Sequence, residues 1–88
     1  MQVQFLKRFG KDLQAIRDRQ VLQAIKAALL SLENAESLSE LSQIKAIEGH
    51  PNTYRLRVGN YRIGFRVEEN QIVLVRVLHR REIYRYFP

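Results

Sequence analysis

From Thr53 to Val67 the chain alternates apolar and basic residues with period two, broken once by Gly59-Asn60. Tyr54, Leu56 and Val58 stand against Arg55 and Arg57, then Tyr61, Ile63, Phe65 and Val67 against Arg62 and Arg66. Side chains along a strand point to opposite faces in turn, so the pattern describes two strands, each with one apolar and one basic face. A two-residue loop with glycine first, free to take a positive φ, closes such a pair as a tight hairpin. That loop fixes the register: Val58 faces Tyr61, Arg57 faces Arg62, and Arg55 faces Gly64. Both facing arginines then lie on one side of the ribbon, where like charges set opposite each other destabilise a sheet.

The remaining segments are expected to cover the apolar face. Met1 to Phe5 has a short strand pattern. Phe9, Leu13 and Ile16 form one helical stripe, and Val21, Leu22, Ile25, Leu29 and Leu32 form a second, with the bend between them at Asp18 to Gln20. Asn34 to Asn52 is polar and carries Gly49 and Pro51, as a partly helical connector would. Ile72 to His79 is apolar on nearly both faces, the pattern of a central strand. If Val73, Val75 and Val77 join Ile63 and Phe65 on the buried face, Arg76 lies near Arg62 on the open one, and the turn around Glu68 to Asn70 must have odd length. The expected architecture is α+β, in the order β-α-α-β-β-β. Two N-terminal helices pack on one face of a small antiparallel sheet, and the tail Arg80 to Pro88 folds along the arginine face. With 88 residues, no repeat and no linker, residues 1–88 are read as a single domain.

Charge is distributed unevenly. The net charge is +6, and residues 53–88 hold eight basic side chains against three acidic ones, whereas residues 1–52 hold seven against six. All eight basic residues of the second segment are arginines. The planar guanidinium fork matches phosphate and carboxylate oxygens, so this cluster points to a polyanion or an acidic protein partner. With no cysteine, disulfides, thiolate metal sites and thiol chemistry are excluded. No apolar run approaches the 18 or so residues of a membrane span and no signal peptide is evident, so the expected address is the cytoplasm, with no membrane association.

A face of arginines without countercharge suits RNA or DNA. Arg57 and Arg62 carry that reading best, Arg55 and Arg81 less strongly, and Arg66 and Arg85 read more simply as solvated or salt-bridged surface. Tyr84 and Tyr86 can pack at the rim of the core, stack on a base, or accept a proton beside positive charge. His79 reads as a hydrogen-bonded residue at a strand end, His50 as a loop residue, and Glu48 and Glu82 as arginine partners. Neither a P-loop, GxGxxG or GxSxG motif nor a metal-ligand spacing occurs, so no cofactor or metal is expected. Cleavage of RNA needs a base near the 2′-hydroxyl, positive charge at the scissile phosphate and a donor for the leaving 5′-oxygen. Arginine meets the second need well and the third poorly, because its pKa lies above about 12.

The run Tyr54-Arg55-Leu56-Arg57-Val58-Gly59-Asn60-Tyr61-Arg62-Ile63, followed by Val77-Leu78-His79-Arg80-Arg81-Glu82-Ile83-Tyr84-Arg85, resembles the signature of the RelE/ParE superfamily of toxins from toxin–antitoxin pairs. The resemblance covers essentially the whole chain and implies, in the RelE branch, a ribosome-dependent endoribonuclease (an mRNA interferase) that cuts mRNA in the ribosomal A site. By position it implies that Arg62 stabilises the scissile phosphate, Arg81 stabilises or protonates the leaving oxygen, and Tyr84 orients or deprotonates the 2′-hydroxyl and stacks on the codon. Arg55 and Arg57, where such toxins often carry lysines, would hold the RNA backbone or aid the base. Arg76, Arg80 and Tyr86 are further substrate-binding candidates, Arg80 competing with Arg81 and Tyr86 with Tyr84. Its implied partners are the ribosome with its mRNA and a cognate antitoxin in a hetero-oligomer, the DNA-binding part belonging to the antitoxin. Two other readings stand: a non-enzymatic inhibitor of DNA gyrase, as in the ParE branch, and a toxin-derived binding module without activity.

Overall fold

Apolar stripes on two helices and three long strands meet in one core, in a computed structural model that describes all 88 residues. Strand β1 (Gln2–Phe5) leads into helices α1 (Lys7–Ala15) and α2 (Arg19–Asn34). A 3-10 turn at Leu38–Glu40 and a short strand β2 (Ile44–Ala46) follow. Then come β3 (Thr53–Val58), β4 (Tyr61–Glu68), β5 (Gln71–His79) and a C-terminal helix α3 (Arg80–Tyr86). The sheet has five strands in the order β1-β5-β4-β3-β2. Phe9 and Ile16 of the α1 segment and Ile25 and Leu32 of α2 are buried against Leu56, Ile63, Phe65, Ile72, Leu74 and Val77. Asp18 starts α2 as the bend requires: its carboxylate accepts the amides of Gln20 and Val21 at 2.9 and 3.3 Å.

The hairpin register is the one its loop dictates. Val58 pairs with Tyr61, Arg57 with Arg62 and Arg55 with Gly64, and Gly59 sits at φ 58°. Two features depart from the expected sheet. It is mixed, because β1 joins β5 in parallel while the other pairs are antiparallel, and β2 adds an edge strand beyond β3. The turn into β5 is even, with Glu69 and Asn70 both at positive φ between the paired Glu68 and Gln71. Parity is changed inside the strand instead. Gly64 pairs with Arg76 and Phe65 with Leu74, so Val75 bulges out of the ladder. Ile72 and Leu74 thereby reach the helices before the bulge and Val77 after it, while Val73 turns to the other face.

The bulge is held by Asp12. Strand β1 accompanies β5 only as far as Leu74, whose carbonyl accepts Leu6 N at 2.9 Å. Beyond that point the edge of β5 has no strand partner, and the Asp12 carboxylate of α1 substitutes for one by accepting the Val77 amide at 3.1 Å. The same carboxylate takes Arg76 Nε at 2.7 Å and Nη2 at 3.0 Å. This bidentate pair is nearly buried, the side chains being 12% and 9% exposed. Hydrogen bonding to Asp12 raises the Arg76 pKa above its ordinary value against the opposing effect of burial, so the guanidinium keeps its charge at neutral pH.

The arginine face is not bare along its length. Helix α3 lies across it with Ile83 and Phe87 buried, and the Phe87 ring covers Gly64 so closely that an added Cβ would stand 2.5 Å from Phe87 Cδ2. His79 caps this helix, its Nδ1 accepting Arg81 N at 3.2 Å.

Two stability measurements follow. Asp12→Ala strands a buried guanidinium and an edge amide, and is expected to cost about 3 kcal/mol in urea unfolding, with Asp12→Ala/Arg76→Met recovering part of the loss. Gly64→Ala is expected to cost about 1–3 kcal/mol and to speed trypsin cleavage within α3, whereas the same change in a Phe87→Ala background should cost far less.

Candidate functional site

Strand register places arginines 55, 57 and 62 on the face that α3 only partly covers, and β2 closes them in from the side. Together they line a groove of about 350 Å³ whose other walls are Ser42, Gln43, Ile44, Lys45 and Tyr84. Its lining has four cationic side chains and no carboxylate. The two ion pairs of the molecule, Arg76 with Asp12 and Arg66 with Glu68, leave all four out. Glu48 and Glu82, expected as arginine partners, pair with none.

Neutral oxygens hold two of these cations in place. Arg62 Nη1 donates to the carbonyls of Gly59 and Tyr61, both at 2.9 Å, and its remaining donors have no protein partner. Arg57 Nε donates to Gln43 Oε1 at 2.9 Å, and its amide donates to the Gln43 carbonyl at 3.0 Å, so the residue just before β2 sets both backbone and side chain. The Arg55 guanidinium lies over the Tyr84 ring, 4.3 Å from its centroid. A cation on a ring face is attracted by the ring quadrupole, which orients Tyr84 although it is 68% exposed. Carbonyl and amide partners fix direction while leaving the positive charge uncompensated, and such a groove is built to receive an anion.

The sequence-derived candidates divide into three groups. Arg55, Arg57, Arg62 and Tyr84 meet in the groove. Arg80 and Arg81 are exposed in the first turn of α3, four and three residues before Tyr84 and so on neighbouring positions of the helix surface, and neither lines the groove. Arg76 and Tyr86 lie apart from it: Arg76 has its fork taken by Asp12, and the Tyr86 ring rests 5.4 Å from that guanidinium. Arg76 is thereby corrected from a ligand-facing group to a structural one. His79 is engaged as a cap and stands edge-on to Tyr61 at 5.6 Å, while His50 lies in the β2–β3 loop.

Sequence reasoning missed Gln43 and Lys45. Three strand residues are too few to show a period, and nothing in a polar connector announces that it pairs with β3. In the structure Lys45 stands directly opposite Arg55.

Known proteins resemble this chain in sequence and in fold. The family model described as the ParE toxin of the type II toxin–antitoxin system parDE matches residues 3–84. Toxin RelE3 of Methanocaldococcus jannaschii is 46% identical over 89 residues, spanning 100% of both chains. A chain in the crystal structure of the RelB-RelE antitoxin-toxin complex from Methanococcus jannaschii superposes with a TM-score of 0.81 at 44% identity, covering 97% of this chain and 99% of that one. A second, from the archaeal RelE-RelB complex of Pyrococcus horikoshii OT3, gives 0.73 at 23% identity over 90% and 93% of the two chains, a likeness of fold alone. The chain therefore belongs to the ParE toxin family of type II toxin–antitoxin systems, and within it is a RelE-like toxin.

Proposed function

We propose that this toxin is an mRNA endoribonuclease acting on translating ribosomes and neutralised by a cognate antitoxin with which it forms a hetero-oligomer. One observation carries the reading: four uncompensated cations and an exposed aromatic ring share one groove. A phosphodiester with its flanking bases supplies what that groove lacks, negative charge for the guanidinium groups and a flat partner for Tyr84.

The reaction is attack of a 2′-oxygen on the adjacent phosphorus with departure of the 5′-oxygen. Arg62, fixed by two carbonyls, presents its free donors to the non-bridging phosphate oxygens, where charge builds in the transition state. Arg57 and Arg55 hold the backbone on either side. Tyr84 stacks on a codon base and orients or deprotonates the 2′-hydroxyl, and the base takes the place of the Arg55 guanidinium on its ring. Arg81 and Arg80, one helical turn away, lie where RNA leaving the groove would pass. An acidic segment of the antitoxin fits the same charge, so RNA and antitoxin compete for it. Support for the partner comes from the relatives crystallised as antitoxin–toxin complexes.

A second reading, inhibition of DNA gyrase without catalysis, is what the resemblance to the ParE branch implies, and the matching family model is one of ParE toxins. Primer extension in a cell-free translation reaction, beside a ribosome-free control and a supercoiling assay, separates the two. The expected outcome is cleavage within codons that requires ribosomes, with gyrase unaffected. Intact mRNA in the presence of folded protein removes the nuclease reading.

Arg62→Ala is expected to lower the cleavage rate by about 10²–10³, while relief of its repulsion with Arg57 leaves stability unchanged or raised by a few tenths of a kcal/mol. Tyr84→Phe is expected to retain mRNA binding and Tyr84→Ala to weaken it, as measured by the substrate dependence of the rate.

A further inference from the structure

We propose that Lys45 is a catalytic residue of this groove, the proton donor to the leaving 5′-oxygen; the proposal rests on the nuclease reading and deepens it. Each guanidinium in the groove supplies charge but keeps its proton, so the three arginines stabilise the phosphate without serving as acids. Serine and glutamine side chains are not acids near neutral pH. That leaves an amine and a phenol, Lys45 and Tyr84, as the lining groups able to exchange a proton. A displacement in line at phosphorus takes one proton from the 2′-hydroxyl and returns one to the 5′-oxygen, so it calls on two such groups.

Geometry divides the two ends between them. Lys45 stands opposite Arg55 across the β2–β3 pair, and the Arg55 guanidinium lies over the ring of Tyr84, so Arg55 has one of the two groups beside its strand position and the other against its side chain. A phosphate held by Arg55 has Lys45 on the β2 side and Tyr84 on the α3 side. An alkylammonium carries a proton at neutral pH and can pass it on, which suits the departing oxygen. The step balances. The 2′-oxygen–phosphorus bond forms as the phosphorus–5′-oxygen bond breaks, one proton passes from the 2′-hydroxyl to the phenolate oxygen of Tyr84, and one passes from the Lys45 ammonium to the 5′-oxygen. Arg81, exposed on α3 and absent from the groove lining, is less well placed for that end.

The test uses ribosomes programmed with a short mRNA whose scissile link carries either the natural 5′-oxygen or a 5′-sulfur, which leaves as a thiolate without a proton. Single-turnover rates are compared for the wild-type protein, Lys45→Arg, Lys45→Gln and Arg62→Ala, each shown folded by thermal melting. Lys45→Arg keeps the charge and loses the donor, so it is expected to cleave the oxygen link about 10²-fold more slowly and the sulfur link at the wild-type rate. Lys45→Gln should show the same recovery on sulfur, with weaker binding. Arg62→Ala is expected to slow both links alike. Equal losses on both links for Lys45→Arg, or no loss on oxygen, overturns the assignment while the nuclease reading stands. Failure of the wild-type protein to cut either link overturns both.

Discussion

Asp12 completes a sheet that the chain's own strands leave unfinished. Parallel pairing with β1 stops at Leu74, because β1 must give way to α1, and an unpaired edge in a half-buried position is costly. One carboxylate accepts the Val77 amide and both branches of the Arg76 fork, so it ties the first helix to the last strand. That point is also where Val75 bulges and the facing of β5 changes. Without the bulge, Ile72, Leu74 and Val77 could not all serve one core. Removing an isolated partner from such a nearly buried pair costs more than the pair itself is worth.

With the sheet fixed, the arginine face becomes a matter of register. Arg57 and Arg62 pair across β3 and β4 without an intervening carboxylate, an arrangement that opposes folding. The protein does not neutralise them. It supplies carbonyl and amide oxygens that direct the side chains and leaves their charge to whatever binds. A carboxylate in place of Gln43 would stabilise the fold more and compete with an incoming phosphate, so the weaker partner is the one consistent with a binding site.

The hairpin was legible because a two-residue glycine turn leaves one register, and that register alone gathers Arg55, Arg57 and Arg62 on one face. The two helices were legible for the same kind of reason, their apolar stripes being long enough to show a period. What stayed hidden depends on contacts distant in sequence. The parity of β5 is set by a bulge within the strand and not by its turn, so assigning Val73, Val75 and Val77 to one face misjudged it. Arg76 carries no local mark of its bond to a residue 64 positions away. Lys45 enters the groove only because three residues of a polar connector add to the sheet edge. Tyr84 and Tyr86 are parted by the helical turn of α3, which sends one toward Arg55 and the other toward Arg76.

Helix α3 links packing to chemistry most directly. Ile83 and Phe87, four residues apart, anchor it to the sheet, and the absence of a side chain at Gly64 lets the Phe87 ring approach. The anchored helix holds Tyr84 at the mouth of the groove, on its own exposed side, with Arg55 as its resting partner. That contact keeps the ring oriented, so a base arriving there meets a prepared surface and freezes less side-chain motion on binding. It also frees a guanidinium. On the proposed nuclease reading, a base that occupies the ring releases Arg55, the cross-strand partner of Lys45, toward the backbone phosphate, so stacking and phosphate binding reinforce each other through one exchange of partners. A groove that drew only on charge would hold any polyanion; on the same reading, one that exchanges Arg55 for a base would favour single-stranded nucleic acid, whose bases are free to stack.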